Sequence, residues 1–298
     1  MDYRLLAYFL AVCEELHFTK AAEKLGISQP TLSQQIRVLE QRIGSPLFQR
    51  IGKKVYLTEA GEILHKHSRN IFHELEQAQA AFNEIQGMQR GRLRIGCSGN
   101  HLLTGTMVAF HAHFPKIELS VAELATEETI EGLLNNQLDL GVVFLPEADD
   151  QLVRIPLYKE KLLFVVSPNH PLAGSESIRL ADLAELPVAM LPKKFYVRHM
   201  IEACCEQADL VCKPMLELST LESLLQMAKH NVCGAVLPGS YVESIQGSDI
   251  RCIPIVDPVP QKDVGIVYRK DMFLCQTTKT FMKQVMQQFL SESKDVPV

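Results

Sequence analysis

Residues 19–43 read TKAAEKLGISQPTLSQQIRVLEQRI, and the local chemistry of this stretch decides the N-terminal fold. Thr19 to Leu25 has the composition of a short helix and ends at Gly26, the residue type best suited to a left-handed turn after a helix. Ser28 then supplies an N-cap hydroxyl, and Pro30 falls in the first turn, where its missing N–H is harmless. The next helix runs to about Ile43 and stops at Gly44-Ser45-Pro46. Two short helices joined by Gly26-Ile27-Ser28 predict a helix-turn-helix. At about 100° per residue, Leu32, Ile36, Leu39 and Ile43 share one stripe, which is ordinary core. Pro30, Ser33, Gln34, Arg37 and Gln41 fall opposite. That face carries Ser, Gln and Arg, which hydrogen-bond base edges and phosphates, and it has no carboxylate.

Upstream, Leu5, Phe9, Val12 and Leu16 recur at helical spacing and predict an amphipathic helix over 4–16. Downstream, Leu47 to Thr58 contains two short β-compatible runs around a Gly52-Lys53 turn, the pattern of a hairpin wing. Arg50, Lys53 and Lys54 would set positive charge beside a polyanion backbone. Residues 1–58 hold eight Lys and Arg against five Asp and Glu, whereas residues 91–298 hold 19 against 25. A basic module on an acidic protein with net charge −5 indicates two separate tasks.

Residues 9–50, FLAVCEELHFTKAAEKLGISQPTLSQQIRVLEQRIGSPLFQR, together with the LTEAG that follows at 57–61, resemble the LysR-type transcriptional regulators. Along the rest of the chain the order and length of the segments agree with that family more than the residues do. The resemblance implies a winged helix-turn-helix, a long linker helix and a two-lobed α/β effector domain similar to periplasmic binding proteins. It also implies double-stranded promoter DNA as a partner and a homotetramer built as a dimer of dimers. On matching positions it implies DNA contact by Gln29, Pro30, Thr31, Ser33, Gln34 and Arg37, with Arg50 and Lys53 on the wing.

The expected division is 1–58 for the winged module, 59–90 for the linker helix and 91–298 for the regulatory region. Thr58 caps the linker, with Glu59 and Glu62 at the positive end of its dipole. No proline interrupts the stretch to about Met88, and Leu57, Ala60, Leu64, Ile71, Leu75, Ala78, Phe82 and Ile85 form a coiled-coil-like seam. A rod of about 45 Å with one apolar stripe needs a partner, and a second chain is the better one. His65, His67 and His73 lack the spacing of a metal motif. Gly87-Met88-Gln89-Arg90-Gly91 breaks the rod.

From residue 92, short β-like runs alternate with helical ones, which predicts parallel strands with crossover helices. By resemblance, the chain returns to its first lobe at the end, giving lobe I over about 91–161 and 267–298 and lobe II over about 162–266. A cleft between two α/β lobes suits a small ligand. Three predicted helix starts can line it: Ser98-Gly99-Asn100, Phe195 to Arg198, and Ser219-Thr220. Ser98 either caps its helix or meets a ligand, and Arg198 either pairs with a surface carboxylate or meets the effector. Phe144 and Phe195 can supply apolar walls. Amides and dipole ends favour a small carboxylate or another small anion.

Enzyme chemistry finds little support. Gly96-Cys97-Ser98-Gly99-Asn100 half-matches a hydrolase nucleophile elbow, but position 100 is Asn. Gly99 and Gly105 have phosphate-loop spacing, but Thr106 stands where its lysine belongs. No catalytic residue, metal or cofactor is expected. The eight cysteines form no Cys-x-x-Cys pair, so reduced, mostly buried thiols are expected. Some members of the resembled family sense peroxide with paired cysteines, one just before the helix at 197–207 and one within it; here Tyr196 stands in the first place. Cys204 or Cys205 with Cys212 would be a different arrangement. No apolar run approaches the ~20 residues of a membrane span, and Met1-Asp2-Tyr3-Arg4 does not open a signal peptide. A cytoplasmic regulator gated by a small molecule is the expectation. A solute-binding protein without DNA contact and a cysteine-based redox sensor are the alternatives.

Overall fold

The computed structural model describes residues 2–52, 54–85, 91–245 and 249–292. The chain forms two compact units, one running to Phe82 and also holding Asn135–Gln137, the other taking the remaining residues from Asn83 onward.

The first unit contains α1 (Tyr3–Glu15), α2 (Phe18–Leu25), α3 (Gln29–Ile43), β1 (Phe48–Ile51), β2 (Lys54–Leu57) and most of α4 (Glu59–Ile85). Each helix start has a local cause. The Asp2 carboxylate accepts from the Arg4 N–H at 3.0 Å, and the Ser28 hydroxyl accepts from the Thr31 N–H at 3.3 Å. Gly26 and Gly44 terminate α2 and α3 in the left-handed region, at φ 68° and 80°. α1 ends one residue earlier than its periodicity predicts: Leu16 leaves the helix with φ 44°. Phe9, Val12, Ala21, Leu32, Leu39 and Leu47 form the core, and each large side chain there contributes about 1.5–3 kcal/mol through burial. β1 and β2 pair antiparallel from Phe48 with Leu57 to Ile51 with Lys54.

The LTEAG segment joins wing to rod. The Thr58 hydroxyl donates to the Pro46 carbonyl at 2.6 Å and accepts from the Gly61 N–H at 3.0 Å. Gly61 lies so close to the Leu47 carbonyl that any Cβ there would collide with it.

The second unit begins with β3 (Gly91–Cys97), a 3-10 turn at Asn100–Leu102, α5 (Thr104–His113), β4 (Ile117–Glu123), α6 (Thr126–Leu134), β5 (Leu140–Phe144) and the long β6 (Leu152–Val166). It continues through β7 (Ile178–Arg179), α7 (Leu180–Ala184), β8 (Val188–Met190), α8 (Tyr196–Gln207), β9 (Leu216–Glu217), α9 (Leu221–Lys229), β10 (Gly234–Pro238), α10 (Gly239–Ser244), β11 (Arg251–Val256), β12 (Gln261–Arg269) and α11 (Gln276–Glu292). The main sheet path is β4-β3-β5-β12-β6-β10-β8-β9. β3 pairs parallel with β4 and β5, and β8 pairs parallel with β9 and β10, so each lobe has its own parallel set.

β6 belongs to both lobes. Its residues 152–161 pair with β12, and residues 162–166 pair with β10 or β11. The chain returns through Asp257 to Pro260. This differs from the expected return near 267: Val264–Val267 pair with β5, and the strand from Gln261 pairs with the first part of β6. A continuous strand pattern hides such a crossing, because both lobes present the same alternation. At the start of β5, the buried Asp139 carboxylate accepts from the Arg94 backbone N–H at 2.7 Å and its guanidinium at 3.0 Å.

Candidate functional site

The first site lies on α3. Leu32, Ile36 and Leu39 are buried, while Pro30, Gln34, Arg37 and Gln41 are exposed on the other side. Gln29 and Ser33 are half-buried, and the Gln29 amide donates to the Ser33 hydroxyl at 2.8 Å. Thr31 is exposed, with its hydroxyl 2.8 Å from that of Ser28. The single carboxylate of the helix, Glu40, points away and accepts from the Leu47 N–H at 2.8 Å. Glu14 and Glu15 on α1 are paired with Lys24. The exposed face of α3 therefore offers amide donors and acceptors and one guanidinium, without opposing negative charge. Arg50 is exposed on β1, its guanidinium 5.9 Å from the Phe18 ring centre. Lys53 lies outside the described residues.

The second site is a cleft in the regulatory unit, at the carboxyl ends of its parallel strands, where open α/β sheets place ligands. Its narrow end is lined by Ser98 after β3, Glu123 at the end of β4 and Thr126 after it, Phe144 on β5, and Phe195 and Tyr196 at the start of α8. The Phe144 and Tyr196 rings stack with centroids 5.0 Å apart. This end has room for about one water. The Ser98 and Thr126 hydroxyl oxygens are buried there without a hydrogen-bond partner. The wide end encloses about 400 Å³ between Asn100, His101, Phe195, Thr220, Glu222 and Tyr241.

Of the residues singled out from sequence, Ser98, Asn100, Phe144, Phe195 and Thr220 all line this cleft. Ser98 does not cap a helix; its hydroxyl is unengaged. Thr220 is a cap: its hydroxyl accepts from the Ser223 N–H at 3.2 Å and donates to the Ser223 hydroxyl at 2.7 Å. Gly99 is buried against the His101 ring and is not among the lining residues. Arg198 is absent from the lining as well. It is 5% exposed and pairs with Glu202 at 3.0 Å and Glu217 at 3.8 Å, the surface-carboxylate option. Glu123 and Thr126 are absent from the sequence-derived set, although their position just after a parallel strand is the signal that finds them.

Behind the wide end, the His101 imidazole lies 3.1 Å from the Ser240 hydroxyl, which donates to the buried Glu160 carboxylate. The Tyr158 hydroxyl donates to the same carboxylate at 2.9 Å. Burial pushes His101 down to about 4 and holds the Glu160 carboxyl above the usual carboxylate range, against the lowering effect of the Ser240 and Tyr158 hydrogen bonds. The network ties the cleft wall to the strand that crosses between the lobes.

The cysteines depart from expectation at one place: Cys205 and Cys212 form a disulfide with Cα atoms 6.4 Å apart. Helix α8 ends at Gln207, and the following turn brings residue 212 back beside it. Cys204 is a half-buried free thiol. Among the described residues, no group of His, Cys, Asp or Glu is arranged to hold a metal, and no helix is long and apolar enough to cross a membrane.

Two family models match the chain: "LysR substrate binding domain" over residues 86–290 and "Bacterial regulatory helix-turn-helix protein, lysR family" over residues 3–62. The "DNA-binding transcriptional dual regulator OxyR" of Escherichia coli is 30% identical over 90% of both chains. Among solved structures, a full-length OxyR variant from Pseudomonas aeruginosa is 25% identical, with TM-score 0.73, over 97% of this chain and 94% of the other. Full-length CbnR complexed with its target DNA shares the fold at TM-score 0.70 and 22% identity, over 96% of this chain and 99% of that one.

Proposed function

Because the chain belongs to the LysR family of bacterial transcriptional regulators, we propose that its α3 face reads promoter DNA and that the cleft at Ser98 and Thr126 receives the effector. As a member of the family it is a DNA-binding transcriptional regulator with an effector-binding domain, and it performs no catalysis. It works in the cytoplasm, where promoter DNA lies.

Gln34 and Arg37 reach base edges in the major groove, Gln29, Pro30, Thr31 and Ser33 set the close approach, and Arg50 and Lys53 neutralise phosphates. The observation that supports this most is an exposed α3 face without a carboxylate, on a module whose Glu14, Glu15 and Glu40 are already engaged. The exposed side of α4 joins two chains, and two such dimers form the tetramer. The effector is a small molecule with a carboxylate or similar oxyanion. Support comes from two buried, unpartnered hydroxyls and from three helix starts, at Thr126, Tyr196 and Leu221, that line one cleft. A ligand with different affinity for two arrangements of the tetramer changes how the winged modules sit on the promoter.

A second reading, redox sensing, is favoured by the Cys205–Cys212 disulfide. A footprint upstream of the protein's own gene tests both. Each of Gln34→Ala and Arg37→Ala should cost roughly 1–3 kcal/mol on specific DNA, and unchanged operator binding by the double variant overturns the α3 assignment. Repeating the footprint after dithiothreitol separates the two readings: a change abolished in Cys212→Ser supports redox control, and an identical pattern leaves the small-molecule effector.

A further inference from the structure

We infer that the effector is a small zwitterion, a carboxylate that also bears a protonated amine, as in a free amino acid, and that Glu123 selects for the amine. The inference rests on the cleft being the effector site and adds the class of ligand that it admits.

The cleft has two electrostatic ends. At the narrow end stand the Ser98 and Thr126 hydroxyls, the latter on a residue only 3% exposed, together with the first residues of α6, α8 and α9. These helices have nine, twelve and nine residues, long enough for their dipoles to favour negative charge. One carboxylate oxygen takes up the space of one water, which is what this end offers.

The other end is acidic. Glu123 and Glu222 are the charged side chains among the described lining residues, and no Lys or Arg is among that lining. The lysines around it are engaged elsewhere or serve Glu222: Lys194 lies over the Phe195 ring and pairs with Glu128, Lys262 lies over Tyr196, and Lys229 acts on Glu222. A plain anion would therefore meet the Glu123 carboxylate as it entered, with no lysine or arginine paired to it. Glu222 is already engaged by Gln226 at 2.6 Å and Tyr241 at 3.0 Å. Glu123 accepts one hydrogen bond, from the Asn100 N–H at 3.2 Å, which leaves most of a carboxylate's acceptor capacity unused. It also borders both ends of the cleft, so a cation held there lies close to an oxyanion at the hydroxyls. That short separation matches an α-amino acid better than a long diamine or a dicarboxylate.

The test is calorimetry and thermal melting of the full-length protein with the twenty free amino acids, the matching 2-hydroxy acids and the matching amines. At least one amino acid should bind, and its hydroxy acid and amine should each bind about ten- to hundredfold more weakly, the value of a hydrogen bond to a charged group. Glu123→Gln keeps an acceptor for Asn100 and removes the charge, so it should weaken the amino acid by a similar factor and leave the hydroxy acid nearly unchanged. Hydroxy acids that bind as well as amino acids, or a panel in which no amino acid binds, overturn the inference. A compound that binds yet is indifferent to both Glu123→Gln and Phe195→Ala occupies another site, which overturns the cleft assignment itself.

Discussion

Thr126 holds a hydroxyl that nothing in the folded chain satisfies, although the residue is almost completely buried. An unsatisfied polar group of this kind costs about 1–3 kcal/mol. Thr126→Val keeps the shape and removes the group, so the effector-free protein should gain about 1 kcal/mol in denaturant unfolding. Effector affinity should fall by roughly 0.5–1.5 kcal/mol in calorimetry, the net worth of one hydrogen bond. A variant that is less stable without effector would show that the hydroxyl has an internal partner. Ser98 was legible in the sequence because it follows a strand and precedes a predicted helix. The place of Thr126 just after a strand was legible too, but its idle hydroxyl was not, since a threonine that opens a helix looks the same whether its hydroxyl caps that helix or faces a cleft. Arg198 shows the converse. Its place near a helix start suggested a ligand contact, but Glu202 stands one turn along the same helix and takes the guanidinium.

Helices α3 and α4 were the most legible elements, for different reasons. α3 is bounded by a serine cap and a left-handed glycine, both local signals. α4 announces itself by an unbroken apolar spacing, but that spacing serves two surfaces. Leu64 and Phe72 pack onto the winged module, where Phe72 stacks on Tyr3 at 4.5 Å. Ile71, Leu75 and Phe82 are left exposed, Leu75 at 48% and Phe82 at 59%. Leu75→Glu should therefore leave the fold of the module intact by circular dichroism. At a chain–chain interface it forfeits up to about 1.5 kcal/mol of burial per chain, since half of Leu75 is already covered, and adds the cost of enclosing a charge. Light scattering should then report a smaller oligomer, and DNA affinity should fall because half-sites are no longer tethered. An unaltered oligomer would move the interface elsewhere.

At the scale of the whole regulatory unit, the His101–Ser240–Glu160 network joins a cleft wall to the crossing strand β6. Burial holds His101 near 4, below the ~6.5 of an unfolded histidine. Between these values the unfolded chain binds a proton that the native state refuses, so this group makes stability fall as pH drops through that window. The loss is at most about 3 kcal/mol. Glu160 acts in the opposite sense: its raised carboxyl favours the native state as pH falls. Comparing urea unfolding of the wild type and His101→Gln at neutral pH and at about pH 4.5 isolates the histidine. The wild type should lose ground against the variant at the lower pH, and an unchanged gap would mean that the imidazole is not desolvated as the structure shows. The sequence by itself determined the helix-turn-helix, the rod and the alternating α/β lobes, because caps, turn glycines and hydrophobic periodicity act over a few residues. Only the tertiary structure decided that the chain returns through Asp257 to Pro260, that Cys205 joins Cys212, and that residues 98, 126, 144 and 195 meet at one cleft with two idle hydroxyls. Periodicity states which face of an element is buried. Which distant atoms meet that face, and which polar group is left without a partner, depends on how the elements pack in space.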